Sequence, residues 1–433
     1  MPAQAIAQGG DDSPYSSFGF GDLVGTATAS QAIMGGTGIA ITDPYAVLQA
    51  NPAAYAGMVR TNLELSGVGH LVQLSTDQET VQRNNARLLG LNVGVPFKNN
   101  RWGLALGLQP VSEVGYLIEN TVTLSDGTSV LYRYQGNGGI NRVFAGLGVA
   151  IWQRMDSLGN GPRLSVGGNF NYLFGTMEQT RKAYYPNGLG FYDTKLFSSL
   201  NVSDPTGTFG IQFQGDLVPR TRETDGWKYM IGLSTELATN LQAHRTDLYN
   251  TFVVINNVEV VRDTISYAEG VPGRIALPAA YGIGASILNA HWTLTAEVRM
   301  RDWSALGVDV TDYRLPTDLA RSTTYAVGAW WRPTGDRAGG SFWERSTYRM
   351  GLRYADDYLV VNDTQLSRMG VSLGTSLPLL GSLSRSRLTL GAELGQRGSQ
   401  SDGLIQERYV DVFVGITFTP DLREPWFKKR RIE

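Results

Sequence analysis

The sequence contains no cysteine. This excludes thiolate chemistry, cysteine-based metal sites and disulfide staples, and it suits a chain that crosses an oxidising compartment unfolded. Charge is scarce as well. Charged residues make up 18% of the chain, below the usual quarter, and the net charge of −2 leaves no basic footprint for nucleic acid. No apolar run approaches the roughly 18–20 residues of a spanning helix. The mean hydropathy of −0.15 is too polar for a bundle of such helices. The histidines, His70, His244 and His291, are far apart, with no metal-ligand spacing and no Ser-His-Asp arrangement. Gly36-Thr37-Gly38-Ile39-Ala40 lacks the preceding strand and following helix of a nucleotide loop, and Asp43-Pro44 interrupts any helix there. No catalysis, cofactor or metal is expected.

Glycine, by contrast, is abundant at 52 residues, and aromatics reach 10%. A length of 433 residues allows two or three soluble domains or one large barrel. A membrane β-barrel is compatible with low hydropathy because alternate residues face lipid. Residues 11–60 hold neither a period of 2 nor one of 3.6 and read as a compact plug that needs a host. From residue 61 short alternating runs recur. In one, Trp292, Leu294, Ala296, Val298 and Met300 oppose Thr293, Thr295, Glu297, Arg299 and Arg301. In another, Leu164, Val166, Phe170, Tyr172 and Phe174 share one face. The fold class expected is an all-β transmembrane antiparallel barrel of about fourteen strands over 61–419, with the plug of 11–60 in its lumen.

The links alternate in length. Short ones such as Lys98-Asn99-Asn100 and Asn289-Ala290 read as periplasmic turns, and 112–139, 176–205 and 242–273 as outer loops. An even strand count places both chain ends in the periplasm. Trp102, Trp152, Trp227, Trp292 and Trp331 fall at the periplasmic rim, where an indole is half in lipid and half wet, and Trp303 falls at the opposite rim. Residues 420–433, ending Trp426-Phe427-Lys428-Lys429-Arg430-Arg431 before Ile432-Glu433, read as a basic periplasmic tail. Residues 1–10, with Ala5-Ile6-Ala7 before Gln8, read as a signal-peptide remnant or a flexible N-terminus.

Inward faces of the later strands carry both signs of charge: Glu297, Arg299, Arg301, Arg349, Arg353, Arg368, Glu393, Arg397 and Asp411. They are either a lattice of paired charges stiffening a wet lumen or, for Arg299, Arg301 and Arg353, a grip on an acidic headgroup through the guanidinium fork. Pro110, after Trp102–Leu108, lacks the N–H a closed ladder uses. It either ends its strand or bends it and opens the wall beside Gly107.

Several motifs resemble the outer-membrane long-chain fatty-acid transporter (FadL-like) family in a divergent branch. They are Met34-Gly35-Gly36-Thr37-Gly38-Ile39-Ala40, Asp43-Pro44 and Asn51-Pro52-Ala53, followed by Leu277-Pro278-Ala279 and Asp302-Trp303-Ser304. Ser13-Pro14-Tyr15-Ser16 and the Trp426–Arg430 ending look like a branch found in gliding-type bacteria. The family implies a fourteen-stranded barrel with a hatch, into which Asn51, Pro52 and Ala53 map. It also implies uptake of hydrophobic compounds with lateral exit toward the bilayer. On that reading Phe18, Phe20 and Met34 of the plug line a route with Tyr116 and Leu117. The expected partners are outer-membrane lipid and a hydrophobic small molecule. A related branch serves type IX secretion, which makes a barrel binding protein partners at its outer loops the alternative.

Overall fold

A computed structural model describes residues 13–25, 28–76, 79–97, 101–125, 127–186, 190–311, 318–335, 340–379, 385–400 and 403–419. The segment expected at 1–10, the link 98–100 and the tail 420–433 lie outside them.

Fourteen antiparallel strands close into one barrel. They are β1 (Asn62–Ser75), β2 (Thr80–Phe97), β3 (Trp102–Thr123), β4 (Ser129–Gln153), β5 (Arg163–Tyr184), β6 (Asp193–Val218), β7 (Trp227–Glu236 continued by Thr239–Ile255), β8 (Val258–Leu277 continued by Ala280–Leu288), β9 (Trp292–Asp302), β10 (Arg321–Trp331), β11 (Thr347–Val361), β12 (Thr364–Pro378), β13 (Arg387–Arg397) and β14 (Gln406–Phe418). Closure runs from Phe418 opposite Leu63 to Gln406 opposite Ser75. The end where β1 begins and β14 finishes is called the terminal end, and the other the distal end. β7 and β8 are each broken once, at Leu237-Ala238 and Pro278-Ala279. Their lower halves pair with each other, and so do their upper halves.

Outward-facing side chains such as Phe170, Ile231, Leu294, Leu352, Val371 and Val414 are large, apolar and exposed. A closed hydrogen-bonded wall with this apolar exterior is a membrane span, because it leaves no strand edge to hydrocarbon over most of its circumference. At the terminal end Trp102, Trp152, Trp292 and Trp331 are exposed, and Trp292 and Trp331 stack at 5.7 Å. Trp303 departs from expectation. A 3-10 turn, Trp303–Ala305, folds the chain inward after β9, and the indole is buried against Phe20 and Tyr358 rather than set in a rim.

The regions expected as long outer loops are mostly strand. β3 to β8 continue through most of 112–139, 176–205 and 242–273, and β7 meets β8 in a tight turn with Asn256 and Asn257 at φ 51° and 62°. That is the left-handed pair a two-residue hairpin turn needs. The alternation fades there because a strand beyond the hydrocarbon has no need of an apolar outer face, while its backbone pairing persists.

Residues 13–25 and 28–60 lie against the inner wall of the barrel, and 28–60 make a circuit of it as a belt. Ala29 meets Gly415 of β14, Ile33 meets Gly391 of β13, Met34 and Gly35 meet Gly351 of β11, and Ala40 meets Gly284 of β8. Pro52 and Ala53 then meet Gly167 of β5, and Tyr55 meets Gly103 of β3. The contacts run backwards through strand order until Met58 reaches Gly94 of β2, and the chain then enters β1. Close approach to a wall requires glycine on that wall's inner face. An added Cβ at Gly103, Gly167 or Gly351 would fall within 3.0 Å of backbone atoms.

Candidate functional site

The distinctive feature of the wall lies between β2 and β3. Their ladder runs from Phe97 opposite Trp102 to Leu91 opposite Leu108, and among the described residues no rung joins them beyond it. At that height each strand carries a bulge. Leu89 is skipped in the pairing of β2 with β1, and Val111 in the pairing of β3 with β4, directly after Pro110. A bulge bends its strand, so the two part and leave a seam. Pro110 therefore does not end β3, which continues to Thr123. It stands just past the last rung, and Gly107 lies on the inner face beside Asn92 and Phe144.

An unsatisfied backbone edge in a membrane costs several kcal/mol per group. The N-terminal segment covers the edge of β3 instead. Asp22 and Leu23 pair with Glu113 and Ser112, and the Val24 N–H donates to the Val111 carbonyl at 2.9 Å. The Ser13 N–H donates to Gly115 at 3.3 Å, and the Ser16 hydroxyl bonds both the carbonyl and the N–H of Gly115 at 3.0 and 3.1 Å. Across the seam Arg87 of β2 and Glu113 of β3 form an ion pair at 2.8 Å.

Inside the seam lies an apolar layer that includes Phe20, Val114, Tyr116, Trp303, Tyr358 and Leu404, with Phe18 packed at its edge. Toward the terminal end of this layer a cavity of about 340 Å³ opens against the N-terminal segment, lined by both apolar and charged groups. Arg299, Arg301 and Arg353 all line it. Each is partnered: Arg299 with Glu297, Arg301 with Glu236 at 3.1 Å, and Arg353 with Glu393. Arg368 reaches Asp411 at 3.8 Å, and Asp411 also bonds His70. The inward charges thus form the paired lattice that offsets their desolvation.

The structure brings Phe18, Phe20 and Tyr116 together above Arg299, Arg301 and Arg353, but not the other two residues expected on the route. Met34 packs elsewhere, with Ile41, Leu48, Ala54 and Trp330. Leu117 follows the buried Tyr116 directly, so strand alternation turns it to the other face of β3. Asn51, Pro52 and Ala53 open the 3-10 segment Pro52–Gly57. The Asn51 side chain accepts from the Ala53 N–H at 3.0 Å and donates to the carbonyls of Ile39, Ile211 and Leu233.

Two of the inward charges also anchor the N-terminal segment, a role the sequence did not reveal. Glu297 of β9 accepts the N–H groups of Gly38 and Ile39 at 2.8 and 2.9 Å. Arg397, 4% exposed, holds Asp22 at 2.6 Å and Asp357 at 2.7 Å and lies 3.6 Å from Glu407, which in turn bonds Ser13. An isolated Asp22 in a segment bound for burial was the signal available, since a buried carboxylate needs a cation.

The fold is shared with solved transporters and channels. The toluene transporter TodX of P. putida superposes with a TM-score of 0.56 at 13% identity, covering 93% of this chain and all of that one. The Ralstonia pickettii toluene transporter TbuX gives 0.54 at 13% over 92% and 99%. The monoaromatic hydrocarbon channel CymD gives 0.53 at 12% over 93% and 99%. No curated protein matches the sequence. These likenesses show a shared fold, a closed antiparallel barrel with a lipid-facing wall. The BamG family model matches residues 1–433 from end to end, and the chain belongs to the BamG family.

Proposed function

We propose that the protein passes small hydrophobic molecules, long-chain fatty acids or aromatic hydrocarbons among them, from the cell surface into the outer membrane through the seam between β2 and β3. The observation that carries this reading is the end of the ladder at Leu91 and Leu108, directly against the apolar layer around Phe20 and Tyr116. In this reading the distal end faces outward, the N-terminal segment is a plug that shuts the lumen to polar solutes, and Arg299, Arg301 and Arg353 orient any acidic headgroup. The neighbours titled toluene transporters and hydrocarbon channels fit the same ligand class.

The test uses the absence of native cysteine. Cysteines replace Arg87 and Glu113, and a short thiol crosslinker joins them across the seam. Uptake of a fluorescent hydrophobic probe by cells should fall on crosslinking and recover when a cleavable linker is cut. Unchanged uptake in fully crosslinked protein would overturn the lateral route.

A second reading, a barrel that binds protein partners at its distal end, draws on one observation. Phe191, Val258 and Tyr267, on or beside the distal strand extensions, are 69%, 61% and 58% exposed. Large apolar side chains in water mark an interaction surface when they cluster.

A further inference from the structure

The terminal mouth of the lumen holds a second charge cluster, and unlike the lattice around the cavity it does not balance. Arg332 follows β10, Arg349 lies near the start of β11, and Arg385 and Arg387 stand at the start of β13. All four are near the same point. Arg332 and Arg349 lie against the Trp330 ring, at 4.8 and 5.9 Å. Arg385 lies 5.5 Å over Tyr45. Arg387 is within electrostatic range of the other three.

Among the described residues the carboxylates there are two. Asp43 Oδ2 reaches Arg332 at 3.7 Å and Arg349 at 3.9 Å, too long for a charge-assisted hydrogen bond to either. Glu64, buried on β1, has one oxygen without a partner among the described residues. Arg387 donates to the Thr347 hydroxyl at 2.7 Å, and among the described residues it has no carboxylate partner. Guanidinium groups stay protonated. Among the described residues four positive charges therefore face at most two negative ones in a place where Arg349 is 4% exposed. The Nε–H groups of Arg332 and Arg349 are buried with no acceptor among the described residues. A buried cation without compensation costs several kcal/mol, and an anion accepting from the guanidinium donors would offset it.

We propose that the terminal mouth binds an oxyanion group, a phosphate or carboxylate, on Arg332, Arg349 and Arg387. Planar guanidinium forks suit tetrahedral or bidentate oxygens, although Arg349 and Arg387 each already give one N–H to a hydroxyl, of Ser376 and Thr347. The site is separate from the seam and the 340 Å³ cavity, so it stands or falls independently of transport. Its occupant is either a soluble anion from the terminal side or the headgroup phosphate of an anionic lipid at the barrel rim.

The experiment follows the Tm of the delipidated full-length protein in nonionic detergent. Inorganic phosphate is titrated at constant ionic strength, and separately phosphatidylglycerol is titrated in mixed micelles, with phosphatidylcholine as control. The expected result is a saturable rise in Tm with phosphate, with phosphatidylglycerol, or with both, and none with chloride. A response to phosphate assigns a soluble oxyanion, and a response to phosphatidylglycerol alone assigns a lipid headgroup. Arg387→Gln should abolish the rise while leaving the ligand-free Tm equal to or above the parent's, because it removes an uncompensated charge. Arg387→Lys should keep a weaker rise. The proposal is overturned if no anion moves the parent's Tm, or if Arg387→Gln lowers the ligand-free Tm and keeps the full rise.

Discussion

Arg87 of β2 and Glu113 of β3 meet at 2.8 Å across a stretch of wall where their strands no longer share a ladder. Both side chains are partly exposed, at 18% and 26%, so the pair is worth at most about 1 kcal/mol to the fold. Its larger effect is to hold the seam. Arg87→Ala should leave the melting temperature nearly unchanged and raise uptake of a hydrophobic probe. Uptake at or below the parent level, at equal surface expression, would mean that the pair does not restrain the seam.

Adjacent glycines on β5 separate the belt from the wall. Gly167 faces inward against Pro52 and Ala53 backbone atoms, while an added Cβ on Gly168 would meet the Phe209 ring at 3.4 Å, an ordinary contact. Gly167→Val should displace the Pro52–Gly57 segment, cost about 1–3 kcal/mol as overpacking does, and raise ion leakage in planar bilayers. Gly168→Val should be close to neutral in both measurements. Equal effects at the two positions would remove the belt as the seat of the plug.

The barrel was legible in the sequence because lipid imposes a period of two, as in the run from Trp292 to Met300, and that period located the spanning part of each strand. It failed for the extensions at 112–139 and 242–273, where no apolar environment enforces alternation. The residues around Asn51 could be read as a plug from their lack of period, but their path could not. That path is set by inward glycines, and a glycine in a strand does not announce which backbone approaches it. Trp303 was misplaced because a rim tryptophan and a lumen tryptophan at a strand end look alike until the turn after Asp302 is seen. The seam was half legible. Pro110 marked it, whereas the bulge at Leu89 on the facing strand left no signal in composition or spacing.

Asn51 donates one amide to three carbonyls, those of Ile39, Ile211 and Leu233, and accepts from Ala53. Asn51→Ala removes these bonds, leaving the Ile39 carbonyl to the Gln212 side chain alone, and should cost about 1–3 kcal/mol. Asn51→Asp sets a carboxylate against three carbonyl oxygens and should be worse than alanine, although aspartate caps helices as well as asparagine does. Denaturant unfolding of the three proteins in detergent gives the order. Aspartate milder than alanine would show that the cap to Ala53 matters more than the strand carbonyls.

Topology can be read from single cysteines. Thr128 lies in one distal turn and Val258 opens β8 directly after another, 61% exposed. Asn250, although in the same hairpin, is buried at 3% and is a poor reporter. Cysteines at 128 and 258 should react with an impermeant maleimide on whole cells. Protection of both in intact cells, with reaction after lysis, would turn the distal end toward the periplasm.

Pro110 gives the sharpest test of why the wall parts. It sits one residue before the bulge at Val111 and two beyond the last β2–β3 rung at Leu108. Proline has no N–H to give a ladder, and an added valine would supply one together with a β-branched side chain that favours strand. Pro110→Val should therefore let the pairing of β2 and β3 extend upward, competing with the Val24 N–H for the Val111 carbonyl. Probe uptake should fall at equal surface level, and hydrogen exchange along β3 beyond Leu108 should slow. Slower exchange with unchanged uptake would separate the route from the ladder. If both stay unchanged, the bulges at Leu89 and Val111 part the strands without help from the proline.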